Sequence, residues 1–283
     1  MKPKRILITG ADGQLGRAFR DVYPDAEFAS RSDLDITDDN LDQARPWRQY
    51  EAIINTAAYT AVDTAETPDG RKAAWDINAK AVANLARVAT KYGVTLVHYS
   101  SDYVFDGEQA LHDEEESFAP LSVYGQSKAA GDTAASVAPR HYTLRTSWVI
   151  GDGNNFVRTM ASLAERGIKP SVVNDQIGRL TFTQDLARAT KHLLASQAPY
   201  GTYNLSNSGE PASWADIAAE VYELTGHDRT DVTGVSTAEY FADKPGAAPR
   251  PLQSTLNIDK ISAMGYTPED WKTALRRYLE TTI

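Results

Sequence analysis

Three glycines, each three residues apart, lie between the first short apolar run of the chain and its first amphipathic segment. They belong to residues 9–16, TGADGQLG, and the overlapping segment 14–22 has apolar residues at helical spacing. Gly10, Gly13 and Gly16 permit a tight turn and let a pyrophosphate approach a helix N-terminus, where free N–H groups and the helix dipole favour an anion. A turn of this kind after the first strand predicts a dinucleotide-binding unit at the start of the fold.

Short apolar runs alternate with longer helical patterns in the first half of the chain. Strands are predicted at 52–54, 94–99 and 142–144, and helices at 73–94 and 124–137. Right-handed crossovers between such strands give a parallel sheet with helices on both faces. The predicted fold class is α/β, a Rossmann-type doubly wound parallel sheet followed by a smaller C-terminal α/β domain.

The pattern changes after about residue 150, where the elements become shorter and Pro and Gly more frequent. Ser213 and Asp216 form a capping box that opens a predicted helix at 214–224. Three prolines in 244–251 exclude a regular helix there, so this segment is predicted to be an ordered loop. The predicted domains are a dinucleotide-binding domain at 1–150, with returning segments at about 174–205, and a second domain mainly at 151–283.

The composition excludes several classes of protein. The 283 residues include no cysteine, which rules out a disulfide framework, a thiolate metal site and a catalytic cysteine. A net charge of −9 and a pI near 5.1 do not support binding to nucleic acid or to an anionic membrane surface. The N-terminal apolar run is too short for a signal peptide, and no run approaches the roughly 20 residues that span a bilayer. We therefore expect a soluble cytoplasmic protein.

The position where the second strand of a dinucleotide-binding fold normally ends bears on the choice of nicotinamide cofactor. An acidic side chain there would bind the ribose 2′-hydroxyl of NADH, whereas an arginine would accept the 2′-phosphate of NADPH. Arg31 lies between Ser30 and Ser32, and the first carboxylate to follow is Asp33. This arrangement predicts NADPH and leaves the use of NADH open. The alternative interpretation is that Arg31 is a solvated surface charge.

Tyr124 and Lys128 are four residues apart at the start of a predicted helix, so their side chains share one face. A Lys⁺ at about 4 Å and an effective dielectric of about 20 favours a phenolate by roughly 4 kcal/mol. That energy would lower the phenol pKa from about 10 by up to about three units. Ser101, which ends a predicted strand, can bond the same substrate oxygen. The alternative is a surface tyrosine with an incidental lysine, since Tyr240 and Lys244 have the same spacing in a loop.

These motifs together resemble the extended short-chain dehydrogenases/reductases, and within them the dTDP-4-dehydrorhamnose reductase family. The resemblance covers nearly the whole chain. Its matching stretches are 9–16, 55–63, Asn78, 99–105, 124–128, 145–149, 154–156, 174–176 with Gly178, and Arg250 and Pro251 with Ser254. The resemblance implies NADPH-dependent reduction of the C4 ketone of dTDP-4-dehydro-L-rhamnose to dTDP-L-rhamnose, a precursor of cell-surface polysaccharide. It also implies that the second domain binds the substrate.

The residues of the motifs and of the resemblance give a set of candidate site residues. The catalytic candidates are Tyr124 as proton donor, with Lys128 and Ser101. The cofactor-binding candidates are Gly10, Gly13, Gln14, Leu15, Gly16, Arg31, Asp35, Ile36, Ala58, Tyr59, Thr60 and Lys128. The substrate-binding candidates are Ser101, Asp102, Tyr124, Trp148, Asn155, Gln176 and Arg250, of which Arg250 would face the nucleotide diphosphate.

This chain departs from the family pattern at a metal site. Some relatives bind Mg²⁺ between subunits through glutamates, one of them just after the glycine turn, where this chain has Arg17 and Ala18. From this difference we expect neither the Mg²⁺ site nor a dimer that depends on it. The expected partner is a small nucleotide-sugar substrate, with no nucleic acid and no membrane, and the chain is expected to be a monomer or a homodimer.

Two alternative functions remain open on the sequence. The first is another nucleotide-sugar epimerase, dehydratase or reductase with the same fold. Dehydratases generally place Asp-Glu directly after the Ser or Thr, where this chain has Asp102-Tyr103. The second is a non-catalytic regulatory subunit resembling methionine adenosyltransferase β, which would act by binding a partner.

Overall fold

The computed structural model describes residues 5–282 and is built around one parallel sheet. The strands are β1 (Arg5–Thr9), β2 (Glu27–Ala29), β3 (Tyr50–Asn55), β4 (Thr95–Ser101), β5 (His141–Thr146), β6 (Val149–Ile150), β7 (Ser171–Val173), β8 (Ile177–Gly178), β9 (Thr181–Phe182), β10 (Gly201–Asn204), β11 (Ala212–Ser213) and β12 (Thr233–Val235). The helices are α1 (Gln14–Val22), α2 (Pro68–Trp75), α3 (Ala81–Tyr92), α4 (Val123–Ser136), α5 (Phe156–Glu165), α6 (Thr183–Ser196), α7 (Trp214–Leu224), α8 (Thr237–Phe241), α9 (Asp259–Ala263) and α10 (Trp271–Thr282).

The main sheet has six parallel strands in the order β2-β1-β3-β4-β5-β10. The chain goes outward from β1 to β2 and then returns to β3 on the other side of β1. In open α/β sheets, ligands bind outside the carboxyl ends of the strands at such a reversal. The predicted doubly wound parallel sheet is confirmed, and all three strands predicted at 52–54, 94–99 and 142–144 belong to it.

Helices cover both faces of this sheet. Neighbouring residues of each strand point to opposite faces, so each strand contributes buried side chains to both. Leu7, Ile53 and Leu96 pack into a cluster with α3 on one face. Ile8 and Ile54 pack on the other face with α1 and α6. Full burial of an aliphatic side chain contributes about 1.5–3 kcal/mol, so this two-sided core holds the carboxyl ends of the strands in place.

A third apolar cluster forms beyond residue 150. It includes Ile150 and Val157 together with residues of α7 and α10 such as Ile217 and Trp271. Three two-stranded ladders accompany it, β6–β9, β8–β11 and β7–β12, whereas β10 returns to the main sheet. These positions are compatible with the predicted domain division, which stays a prediction.

The helix predicted at 73–94 is interrupted. It begins earlier, at Pro68, where the Thr67 side chain caps it by accepting from the Gly70 N–H. A π-helical turn at Asp76–Lys80 joins α2 to α3. Periodicity could not reveal this turn, because one extra residue in a helix leaves most apolar spacings intact. Such turns occur frequently at functional sites.

Candidate active site

A cleft of about 320 Å³ opens at the carboxyl ends of β1 and β3, where the strand order reverses. Its lining residues are Thr9, Gly10, Asp12, Gly13, Ser30, Arg31, Leu34, Asp35, Ile36, Thr37, Thr56, Ala57, Ala58 and Ile77. Six of the predicted cofactor residues are among them, namely Gly10, Gly13, Arg31, Asp35, Ile36 and Ala58. The cleft therefore lies where the fold class predicts a dinucleotide site.

The glycine turn forms a cradle that side chains would fill. Gly10 has a φ of 69°, and a Cβ there would lie 2.5 Å from the backbone nitrogen of Ala57. A Cβ on Gly16 would lie 2.3 Å from the carbonyl oxygen of Gly10. Gly13 is the N-cap of α1 with no side-chain cap, and the first turn of α1 has no acidic residue. The first N–H groups of α1 are therefore open to an anion, and the residues present fit the pyrophosphate of a dinucleotide.

Arg31 lines this cleft just after β2, the edge strand of the main sheet. Asp33, the nearest carboxylate in sequence, is turned onto Ser30 and accepts from its N–H at 2.9 Å and its hydroxyl at 2.6 Å. Asp35 is held by Thr37, whose hydroxyl and N–H lower the pKa of that carboxyl. Arg31 is exposed and makes no ion pair with another residue of the described chain. Its guanidinium is thus available to an anionic group.

The other predicted cofactor residues lie outside the cleft lining. Leu15 packs against the apolar cluster of α1 and α6, and the side-chain amide of Gln14 reaches the carbonyl of Asn154 at 3.3 Å. Tyr59 and Thr60 continue the segment after β3 that begins with the lining residue Thr56. Their placement puts them beside the cleft, in reach of a bound molecule that extends beyond it.

Asn78 fixes this segment to α4. It is 1% exposed and lies in the π-helical turn, with Oδ1 accepting from the Tyr59 N–H at 2.9 Å. Its Nδ2 donates to the Tyr59 carbonyl and to the Ser127 hydroxyl, each at 3.0 Å. The sequence matched Asn78 to the family without giving it a role. In the structure, Asn78 joins the segment after β3 to α4, the helix that carries Tyr124 and Lys128.

The structure brings Tyr124 and Ser101 together. Ser122 caps α4 by accepting from the Gly125 N–H, and Tyr124 follows in the first turn. Ser101 is the last residue of β4, and its hydroxyl is close enough to the Tyr124 phenol to lower the pKa of that group. The same hydroxyl donates to Asp102 Oδ1 at 3.0 Å. The end of β4 and the start of α4 thus place these two hydroxyl-bearing residues on neighbouring elements.

The expected effect of Lys128 on the pKa of Tyr124 is not what the structure shows. Burial raises the pKa of Tyr124, the charge of Asp102 adds to the increase, and Lys128 is not among the charges that shift it. The Lys128 ammonium instead donates to the Tyr99 carbonyl at 2.5 Å. Burial also lowers the pKa of Lys128 to about 8, although Asp132 opposes this. Desolvation raises the pKa of the Tyr124 phenol, and no charge of Lys128 offsets it, so the phenol keeps its proton at neutral pH.

A buried ion pair lies next to Lys128. Asp132 follows Lys128 by one helical turn, and its Oδ2 accepts from Arg145 Nε at 3.1 Å. Asp132 and Arg145 are each 4% exposed. Burial raises the pKa of Asp132, which the positive charge of Arg145 opposes. The sequence matched Arg145 to the family without giving it a role, and it did not single out Asp132, although the four-residue spacing of Lys128 and Asp132 was a visible signal.

Asp102 has an unsatisfied oxygen at the site. Its side chain is 2% exposed, and Oδ2 has no hydrogen-bond partner among residues 5–282. Burial raises the pKa of this carboxyl to about 6, and the nearby hydroxyls of Ser254 and Ser101 only partly offset the increase. Buried polar atoms are nearly always bonded. An unpaired carboxylate oxygen beside Ser101 and Tyr124 is therefore suited to a polar ligand.

Trp148 has a strained backbone. Its φ of 47° lies in the left-handed region, which is unfavourable for a bulky residue by about 1–3 kcal/mol. Its indole stacks on Trp214 with centroids 3.8 Å apart, and Phe156 packs against Trp214 at 4.5 Å. A Cβ on Gly178 would come within 3.0 Å of the Trp148 ring. The strain and this packing fix one orientation of the indole, and Trp214 was not predicted as part of it.

Asn155 and Gln176 are occupied by contacts within the chain. Asn155 caps α5, with Oδ1 accepting from the Arg158 N–H at 3.0 Å, and its Nδ2 donates to the Tyr278 hydroxyl at 2.8 Å. Gln176 is buried and donates to the Thr237 hydroxyl at 3.0 Å. These contacts lie within the chain, and the substrate-binding role of the two residues stays a prediction.

Arg250, the remaining substrate candidate, pairs with Asp63 at 2.8 Å. Where the resemblance has a metal-binding glutamate, Arg17 pairs with Asp152 at 3.3 Å. No group of three or more His, Asp or Glu side chains within 5–282 is arranged to hold a metal ion. The helices described also include none with the length and apolar character needed to cross a bilayer.

Comparisons with known proteins agree with this geometry. The family described as the RmlD substrate binding domain matches residues 4–283. A dTDP-4-dehydrorhamnose reductase from Aggregatibacter actinomycetemcomitans is 38% identical over 96% of this chain and 97% of its own. A crystal structure of a dTDP-4-dehydrorhamnose reductase from Clostridium acetobutylicum has a TM-score of 0.89 and 36% identity, covering 98% of this chain and 99% of the other. The Bacillus anthracis dTDP-4-dehydrorhamnose reductase in complex with NADP has a TM-score of 0.89 and 34% identity, covering 99% of each chain.

Proposed function

This chain belongs to the family described as the RmlD substrate binding domain, and on that premise we propose that it reduces the C4 ketone of dTDP-4-dehydro-L-rhamnose with NADPH. The product is dTDP-L-rhamnose, a precursor of cell-surface polysaccharide. The observation that carries this proposal is the placement of Tyr124, in the first turn of α4, against the residues that follow the Ser101 end of β4, where the Tyr103 and Tyr124 rings have centroids 5.5 Å apart. The chain is 38% identical to such a reductase. We further propose that the enzyme is cytoplasmic and acts as a monomer or a homodimer.

The proposed reaction assigns a role to particular residues of this chain at each step. NADPH, when bound, supplies the hydride that reduces C4. The N-terminus of α1 and Gly13 bind the pyrophosphate, and Lys128 holds the nicotinamide ribose. Tyr124 keeps its proton in the free enzyme and donates it to the oxygen of C4 as negative charge develops there. The Ser101 hydroxyl, which donates to Asp102 Oδ1 in the free protein, turns to donate to the same substrate oxygen and stabilises that charge.

The proposed activity is tested by one assay. Purified protein is mixed with NADPH and dTDP-4-dehydro-L-rhamnose, the loss of NADPH absorbance is followed, and the product is identified by NMR. Stoichiometric consumption of NADPH with formation of dTDP-L-rhamnose supports the proposal. A tightly bound NAD⁺ that turns over without net consumption would indicate an epimerase or dehydratase, and binding of a stoichiometric protein partner without turnover of any dTDP-sugar would indicate a regulatory subunit.

Arg31 is proposed to select NADPH over NADH by binding the 2′-phosphate. Replacement of Arg31 with alanine is expected to lower kcat/KM for NADPH by about 10–100-fold, since a hydrogen bond to a charged group contributes about 1.5–3 kcal/mol. The value for NADH should stay within about threefold, because NADH has no 2′-phosphate. Arg166→Ala, at an exposed site on α5's C-terminal end, is the matched control. Equal losses with both cofactors in Arg31→Ala would show that Arg31 does not read the phosphate.

A further inference from the structure

One carboxylate on the cofactor side of the molecule holds the loop that carries Arg250. Asp63 follows β3, and Arg250 Nη2 donates to its Oδ1 at 2.8 Å and to its Oδ2 at 2.9 Å. The N–H of Ala248 donates to the same Oδ1 at 2.9 Å. Three hydrogen bonds thus join a single side chain to a segment about 185 residues away.

The loop that Asp63 holds cannot order itself through regular structure. Residues 244–251 contain three prolines and have no helix or strand. The Arg250 guanidinium lies 4.6 Å from the centre of the Phe241 ring and donates through Nη1 to the Ala248 carbonyl. The side chain of Arg250 is only 16% exposed. The bonds to Asp63 and the packing on Phe241 together fix its orientation.

Arg250 keeps donors free and lies near the proposed proton donor. Its Nε–H and one N–H of Nη1 have no acceptor among residues 5–282. Burial raises the pKa of Tyr103, and the charges of Arg250 and Asp63 act on that phenol in opposite senses. The Tyr103 ring meets the edge of Tyr124 with centroids 5.5 Å apart. The ion pair is therefore one aromatic ring from Tyr124.

We propose that Asp63 is a positioning residue, which orients Arg250 so that its free N–H groups bind the diphosphate of the nucleotide sugar. This inference rests on the proposed function. A planar guanidinium held by a carboxylate on one side presents its remaining donors to oxygens on the other. The opposing reading is that Asp63 neutralises Arg250 and competes with the diphosphate. The two readings predict changes of opposite sign when Asp63 is removed.

The test measures dTDP binding by calorimetry and the kinetic constants of the reaction in four proteins. These are the wild type, Asp63→Ala, Arg250→Ala and the double variant. Asp63→Ala is expected to weaken dTDP binding and raise KM for the sugar nucleotide by about tenfold, as when one partner of a hydrogen-bonded charge pair is removed. We expect kcat to stay within about threefold and KM for NADPH within about twofold. The double variant should match Arg250→Ala, because Asp63 acts through that residue.

A second variant guards against misfolding. Asp63→Asn keeps the shape of the side chain and an acceptor for Ala248, and should weaken dTDP binding by an intermediate factor of about three. Unchanged or tighter dTDP binding in either Asp63 variant overturns the inference, and so does an Asp63→Ala loss that persists in full in the Arg250→Ala background. If the wild type neither binds dTDP nor reduces the sugar, the proposed function itself fails and this inference falls with it.

Discussion

Replacement of Tyr124 by phenylalanine is expected to lower kcat by about 10²–10⁴-fold, which is the usual contribution of a positioned general acid. The phenol is the proton donor of the proposed reaction, and burial keeps it protonated. Phenylalanine preserves the ring and its edge contact with Tyr103. The dissociation constant of NADPH should therefore stay within about twofold, because the lost hydroxyl acts on the reacting oxygen.

The measurement is steady-state kcat together with NADPH binding by fluorescence titration. The chain contains a matched control in Tyr240, which has a lysine four residues later, as Tyr124 does. The Lys244 ammonium lies 3.4 Å from the centre of the Tyr240 ring, over its face, and Tyr240 is 38% exposed. Tyr240→Phe should leave kcat within about twofold. A Tyr124→Phe enzyme with kcat close to that of the wild type would contradict the assignment of the proton donor.

The features that sequence alone predicted are those with a local cause. A glycine with positive φ at position 10 follows from a strand that must turn at once into a helix, and the helical spacing of 14–22 matches α1 residue for residue. The capping box of Ser213 and Asp216 likewise needs only four neighbouring residues, and both of its hydrogen bonds are present. Such elements depend on short-range geometry, so one sequence is enough to predict them.

The features that sequence missed depend on contacts between distant residues. The pair Asp63 and Arg250 and the stack of Trp148 on Trp214 each join segments that the fold alone brings together. The sequence argument gave only an upper bound on how far Lys128 could lower the pKa of Tyr124, whereas burial raises that pKa. Helical spacing tells which side chains share a face, but desolvation depends on the whole surrounding core. The family resemblance supplied Asp102 as a site residue, yet gave no indication of what its burial costs.

The burial of the Asp102 carboxylate should lower the stability of the ligand-free protein. Asp102 has its pKa raised from 3.8 to about 6, so its charged form is unfavourable in the folded state. A shift of about two units corresponds to about 3 kcal/mol. Because the folded pKa lies above the unfolded one, this destabilisation is complete above about pH 6 and most of it disappears as the pH falls toward 4. Asp102→Asn removes the charge and should raise the free energy of unfolding by about 2–3 kcal/mol at pH 8.

Chemical denaturation of Asp102→Asn and the wild type between pH 4 and pH 8 measures this difference directly. Subtracting the two curves cancels the titration of all other groups, so the gain should shrink to about 0.5 kcal/mol at pH 4. The exposed Asp21, replaced in the same way, should change stability by no more than about 0.5 kcal/mol at any pH. A gain that does not vary with pH, or a loss at pH 8, would show that Asp102 is not a buried charge under strain. If the gain is found together with a lower kcat/KM for the sugar nucleotide, then the chain keeps a destabilising carboxylate because the substrate needs it.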